Sequence, residues 1–189
     1  RDDKIFKLDF GGFQSLELGP VAPPNLQLDF LERDLMITGT PASSGLVSNV
    51  SVAFRVHLRT PMGEPISEVT MGDEFRLEVY AEDISPRTVA DVVGVSAAYV
   101  DVSFPHELMQ PVGELQFAEG LFAGSGTVDA TGVLDEVGGA PSNELPNAMP
   151  LLFAMRFQAI APGVAELGTD AADNHSVSLL RDGKPIAVE

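Results

Sequence analysis

The residues best suited to chemistry in this chain are Asp170, Asp173 and Asn174. Spacings of three and four in a loop present oxygens to a hard cation such as calcium, which takes six to eight oxygen ligands. Glu82-Asp83 and Asp135-Glu136 add further oxygens if the fold brings them near. The alternating Asp-x-Asp-x-Asp-Gly frame of an EF-hand is missing. Asp and Asn also close turns with their own side chains. The trio therefore reads either as a structural calcium site or as turn residues.

Catalytic readings are weaker. Three histidines are present, His57, His106 and His175. His175 follows Asp173 and precedes Ser176, but a catalytic triad is a spatial arrangement and neighbours along a strand point to opposite faces. Among 28 acidic residues, nothing singles out a carboxylate pair for glycoside hydrolysis. Gly124-Ser125-Gly126 is neither a Gly-x-Ser-x-Gly elbow nor a phosphate loop with its Lys, and reads as a turn. Asn49-Val50-Ser51 and Asn174-His175-Ser176 match the glycosylation triplet, which chance also produces. The expectation is a protein that is not an enzyme.

For binding, the aromatic residues discriminate. Sugar-binding faces stack pyranose rings on exposed Trp or Tyr; this chain has no Trp and two Tyr. Tyr80 and Tyr99, on separate expected strands, are the candidate binding-face residues. Their scarcity favours a protein partner over a polysaccharide, because a protein contact needs only a flat face burying roughly 800 Å² per partner.

Charge narrows the partner classes further. Eleven Lys and Arg against 28 Asp and Glu give a net charge of −17. No Lys or Arg lies between Arg87 and Arg156. Nucleic acids and anionic membranes both require cations, so neither is an expected partner. The acidity fits cation binding, a basic partner, or solubility of a surface protein. No apolar run approaches the ~20 residues of a membrane span, and no membrane insertion is expected. Without Cys, the apolar core alone must supply stability. A first residue of Arg, with no leader in view, reads as a processed or excised fragment.

The elements that would position these residues are strands. From Val50 to Thr60, Val50, Val52, Phe54, Val56 and Leu58 alternate with Ser51, Ala53, Arg55, His57 and Arg59. Period two gives one dry and one wet face. Glu74–Glu82 and Leu151–Ile160 repeat the alternation, and Gly94–Phe104 is apolar on both faces over much of its length, as in a central strand. Shorter candidates are Glu114–Phe117, Thr127–Asp129, Gly163–Thr169, Ser176–Leu180 and Pro185–Val188. Thr60–Pro65, Ala161-Pro162-Gly163 and Asp182-Gly183 are turns, the last suited to a tight hairpin. One helical turn is expected near Pro105–Met109. The expectation is an all-β sandwich over residues 49–189. Residues 1–48, rich in Pro and small residues, read as an N-terminal extension or linker that docks a strand or two.

Several segments resemble a known family. Gly63-Glu64-Pro65-Ile66, the run from Met71 to Tyr80, the run from Gly94 to Val102, Gly132–Gly138 and Asp170–Asn174 are similar to cohesin-like modules of large multidomain bacterial surface proteins. The resemblance covers roughly residues 56–180. It implies a jelly-roll β-sandwich of about nine strands, shared with carbohydrate-binding modules. It also implies an extracellular or cell-surface location, and docking of a protein partner, a dockerin-like module or a neighbouring domain, across one flat sheet face. A carbohydrate-binding module and a structural spacer of an adhesin are the alternatives on the same scaffold.

Overall fold

The computed structural model describes residues 25–30, 35–39, 50–85, 92–119, 121–141, 150–175, 177–181 and 184–188. Among them the protein is all β, with no helix and thirteen strands. These are β1 (Asn25–Phe30), β2 (Leu35–Gly39), β3 (Val50–Arg59), β4 (Glu68–Thr70), β5 (Glu74–Asp83) and β6 (Val92–Ser103). Then follow β7 (Met109–Phe117), β8 (Leu121–Asp129), β9 (Val133–Pro141), β10 (Leu151–Ala159), β11 (Gly163–Ala171), β12 (Val177–Arg181) and β13 (Lys184–Val188). No helix among the described residues is long and apolar enough to cross a membrane.

Two sheets form. The five-stranded sheet runs β2-β3-β5-β10-β7, every pair antiparallel. The eight-stranded sheet is centred on β6 and is antiparallel except where β1 lies parallel to β11. One side of β6 pairs with β9, and β8 lies beyond. Along its other side β6 meets two strands in line: Val100–Ser103 pair with the end of β11, and Val92–Ala97 with β12. The sheet forks there, one branch passing through β11 to β1 and β4, the other through β12 to β13. The residues linking β11 to β12 leave the sheet at the fork.

The period-two pattern explains the layers. Val52, Phe54, Val56 and Leu58 of β3, Phe75, Leu77, Val79 and Ala81 of β5, and Phe153, Met155, Phe157 and Ala159 of β10 all point inward. They meet Ala98, Val100, Val102, Leu134, Val137, Ala165, Leu167 and Leu179 of the other sheet in one continuous core. Phe104 reaches Phe157 edge to face, with ring centroids 4.9 Å apart. At about 25 cal/mol per Å² of buried apolar surface, this core is the dominant stabilising contribution.

The structure adds to the expected elements and corrects one of them. Over residues 49–189 eleven strands stand where about nine were expected, and β1 and β2 lie within residues 1–48. The additional ones are the short β4 and the whole of β9, which carry no clean alternation. Gly124-Ser125-Gly126 is not a turn but lies inside β8. Its two glycines stand where the chain is crowded. A Cβ on Gly124 would lie 2.6 Å from the Phe117 ring, and one on Gly126 the same distance from the Val137 Cα. The expected helical turn is a single one, with the N–H groups of Leu108 and Met109 both donating to the Pro105 carbonyl. Arg181 pairs with Lys184, so two residues join β12 to β13; Asp182 and Gly183 themselves lie outside the described residues, as do Asn49 and Ser176.

Candidate interaction faces

The outer face of the five-stranded sheet is the more elaborate of the two. Outward residues on β3 are Arg55, His57 and Arg59; on β5 they are Glu74, Arg76, Glu78, Tyr80 and Glu82; on β10 they are Arg156 and Gln158. Every arginine whose side chain is described, Arg55, Arg59, Arg76 and Arg156, stands here. Arg59, Arg76 and Arg156 are directly opposite one another on three adjacent strands. Like charges so placed repel, and carboxylates on β5 offset the repulsion. Glu78 holds Arg59 Nε at 2.9 Å and lies 3.3 Å from Arg76 Nε, while Glu74 takes Arg156 at 3.2 Å and Glu82 takes Arg55 at 2.8 Å.

Glu78 is the hub. It faces outward yet is only 6% exposed, because the side chains it binds cover it. Besides the two arginines it accepts a hydrogen bond from the Tyr80 hydroxyl at 2.9 Å. Burial first, and then this bond, raise the Tyr80 phenol above its ordinary value. The Tyr80 ring lies against His57, with centroids 5.0 Å apart. The Nε of Arg76 is fully buried and faces Glu78 without hydrogen-bond geometry. The result is a face of arginine and aromatic side chains tied to one another by ion pairs, a hydrogen bond and a ring contact.

The second face is on the eight-stranded sheet, where β6 meets β9. One residue of β6, Asp101, opposes two of β9, Asp135 and Glu136, because the pairing steps from Val100–Val137 to Val102–Leu134. This is a β-bulge, and Glu136 takes the left-handed conformation in it, with φ of 54°. Such a backbone costs a non-glycine residue about 1–2 kcal/mol. Hydrogen bonds offset that cost. The Glu136 N–H donates to Asp101 Oδ1 at 2.7 Å. Glu136 Oε1 accepts the N–H of Asn174 at 2.7 Å and its side-chain amide at 3.1 Å, and Oε2 meets His175 Nδ1. His175 in turn stacks on Tyr99, with ring centroids 4.3 Å apart. The fork linker is thus clipped to the bulge through Glu136.

The electrostatics follow from this geometry. The hydrogen bond from His175, reinforced by Asn174, lowers the Glu136 carboxyl below its ordinary value. Asp101 moves the other way: burial raises it, its bond from Glu136 N–H opposes that, and Asp135, Glu136 and Asp173 raise it further.

The residues singled out in the sequence fall on both faces. Asp170 stands opposite Asp101 at the end of β11, exposed, its carboxylate accepting the Ala171 N–H. Asp173 and Asn174 are exposed in the fork linker. Among the described residues no three His, Asp or Glu side chains are arranged to hold a metal ion. Tyr80 and Tyr99 lie on different sheets, one in each network. Sequence reasoning named Glu136 as an oxygen that the fold could bring near Asn174, as it does, but not as the centre of a network, and it missed Glu78. For Glu136 the available signal was the break in alternation at Asp135-Glu136-Val137-Gly138-Gly139, as a bulge produces. For Glu78 there was none, since an outward Glu on an alternating strand looks solvated.

No protein-family model matches the chain, and neither a curated protein nor a solved structure matches it.

Proposed function

We propose that this chain is a non-catalytic, cohesin-like jelly-roll module of a bacterial surface or secreted protein, working outside the cell by docking a protein partner. The partner is a dockerin-like module or a neighbouring domain, and the docking face is the outer side of β3, β5 and β10. The observation that carries the reading is the arginine row Arg59, Arg76, Arg156, held flat by Glu74 and Glu78 beside Tyr80. Arginine and tyrosine are enriched where proteins meet, and pre-ordering their side chains lowers the entropy lost on binding.

The test is retention of proteins from the source's secreted fraction on the immobilised chain, alongside sedimentation of the chain alone. A retained protein, or a self-assembly, that is lost in the Arg76→Glu/Arg156→Glu variant supports docking through this face. If nothing is retained and the chain sediments as a monomer, the module is a spacer. A carbohydrate-binding role has one observation in its favour, the half-buried Tyr80 ring on the same face. Glycan-array binding abolished by Tyr80→Ala would put that role first. Calcium at Asp170, Asp173 and Asn174 is a separate arm: a higher melting temperature with calcium than with chelator supports a site there, because a ligand of the folded state raises its apparent stability. Identical melts remove it.

A further inference from the structure

At one edge of the sandwich, where β4 and the start of β5 belong to different sheets, lies a cleft of about 380 Å³. Its apolar surface comes from Pro61, Ile66 and Val69, and Glu68, Asp73 and Glu74 also line it. The volume falls within the range of sites that accept a side chain or small ligand. One wall is pre-formed. In the β3–β4 loop Thr60 and Glu64 bond each other through main chain and side chain, Gly63 N–H donates to the Thr60 carbonyl, and Arg59 Nη1 donates to the Gly63 carbonyl at 3.0 Å. This loop holds Met62 out with 89% of its surface exposed, and Met71 is exposed in the neighbouring turn. Exposed methionines are adaptable apolar contacts of the kind found at binding surfaces.

The charges around the cleft have one sign to spare. Arg156 engages Glu74, and Arg59 is occupied by Glu78 and Gly63. Among the described residues Glu68 and Asp73 form no ion pair. An apolar floor rimmed by unpaired carboxylates matches a side chain with an aliphatic stem and a cationic head. The −17 net charge draws such a group in from a distance.

We propose that this cleft docks a lysine or arginine side chain presented by a basic segment of a partner protein. The stem lies on Ile66, Val69 and Pro61, the cation meets Glu68 and Asp73, and Met62 and Met71 flank the entering chain. The site adjoins the arginine row, sharing Glu74 and Arg59 with it. The carboxylates that meet the cation, Glu68 and Asp73, stand outside that row, and the site stands whether or not a partner docks on that face.

Capped hexalysine labelled with a fluorophore is the probe, with capped hexaglutamate as control, at low salt. Anisotropy gives the affinity, and methyl NMR reports Ile66 and Met62. Glu68→Gln and Asp73→Asn are each expected to weaken hexalysine binding about fivefold, the scale of one exposed ion pair, and about twentyfold together. Glu114→Gln/Glu119→Gln removes the same charge elsewhere and is expected to change affinity less than twofold, roughly. The Ile66 and Met62 methyls shift with hexalysine and not with hexaglutamate. Equal losses in the two double variants, or an Ile66 methyl that stays in place at saturation, overturn the proposal, since either outcome means diffuse attraction to an acidic surface.

Discussion

Glu78 and Glu136 are both carboxylates enclosed by their own partners, and their removal has different consequences. Glu78→Gln leaves Arg59 and Arg76 side by side without the anion that offsets their repulsion. Chemical denaturation is expected to show a loss of about 1.5–3 kcal/mol, the range for hydrogen bonds to charged groups. Glu136→Gln changes the pH profile instead. Folding favours ionised Glu136, because its folded value is lowered. Its contribution is therefore full above the unfolded value and drains away as pH falls through the folded one. Asp101, raised by burial, has the opposite sign: its contribution is full at low pH and is lost as pH rises through the folded value. The stability gap between the native chain and Glu136→Gln is expected to be widest above the unfolded glutamate value of about 4.3 and to narrow as pH falls below it through the lowered folded value. A gap that stays constant over that range would show that the His175 and Asn174 bonds do not depend on the Glu136 charge.

At the scale of elements, the β6–β9 pair is the tightest joint. A Cβ on Gly138 would lie 2.0 Å from the Ala98 carbonyl oxygen, and both atoms involved belong to paired backbone. Gly138→Ala is expected to lower stability by about 1–3 kcal/mol or more and to shift amide signals along β6 and β9. A melting temperature unchanged from the native chain would mean that the two strands can separate there at no cost. The long alternating strands were legible in the sequence, because Val52, Phe54, Val56 and Leu58 repeat at the period that a half-buried strand requires. Strand β9 was not, because a bulge inserts a residue and reverses the alternation midway. The same bulge hid the candidate site: Glu136 meets Asn174 and His175 only after β6 has brought β9 and β11 to its two sides. Tyr80 and Tyr99 could be picked out as the aromatic handles, but pairing alone places them on opposite sheets.

For the whole molecule, the excess of acidic residues also acts within the fold. A net charge of −17 repels itself most in the compact state. Raising salt from about 0.01 M to 0.15 M shortens the screening length from about 30 Å to 8 Å. The melting temperature is expected to rise with sodium chloride over that interval. A fall would mean that the ion pairs around Glu78 outweigh the long-range repulsion.

The parallel pairing of β1 with β11 also bears on how the molecule is made. Leu26 lies beside Gly163 and Phe30 beside Leu167, so the first described strand has its partners near the far end of the chain. Closing so long a loop is slow, and chains dominated by distant pairings fold in milliseconds to seconds. During synthesis β3 and β5 can pair early, whereas β1 must wait until residues 163–167 have emerged. Its other neighbour, β4, holds it through only three paired positions. A ribosome-bound chain stopped before Gly163 therefore leaves one edge of β1 without a strand beside it, open to chaperones until β11 arrives.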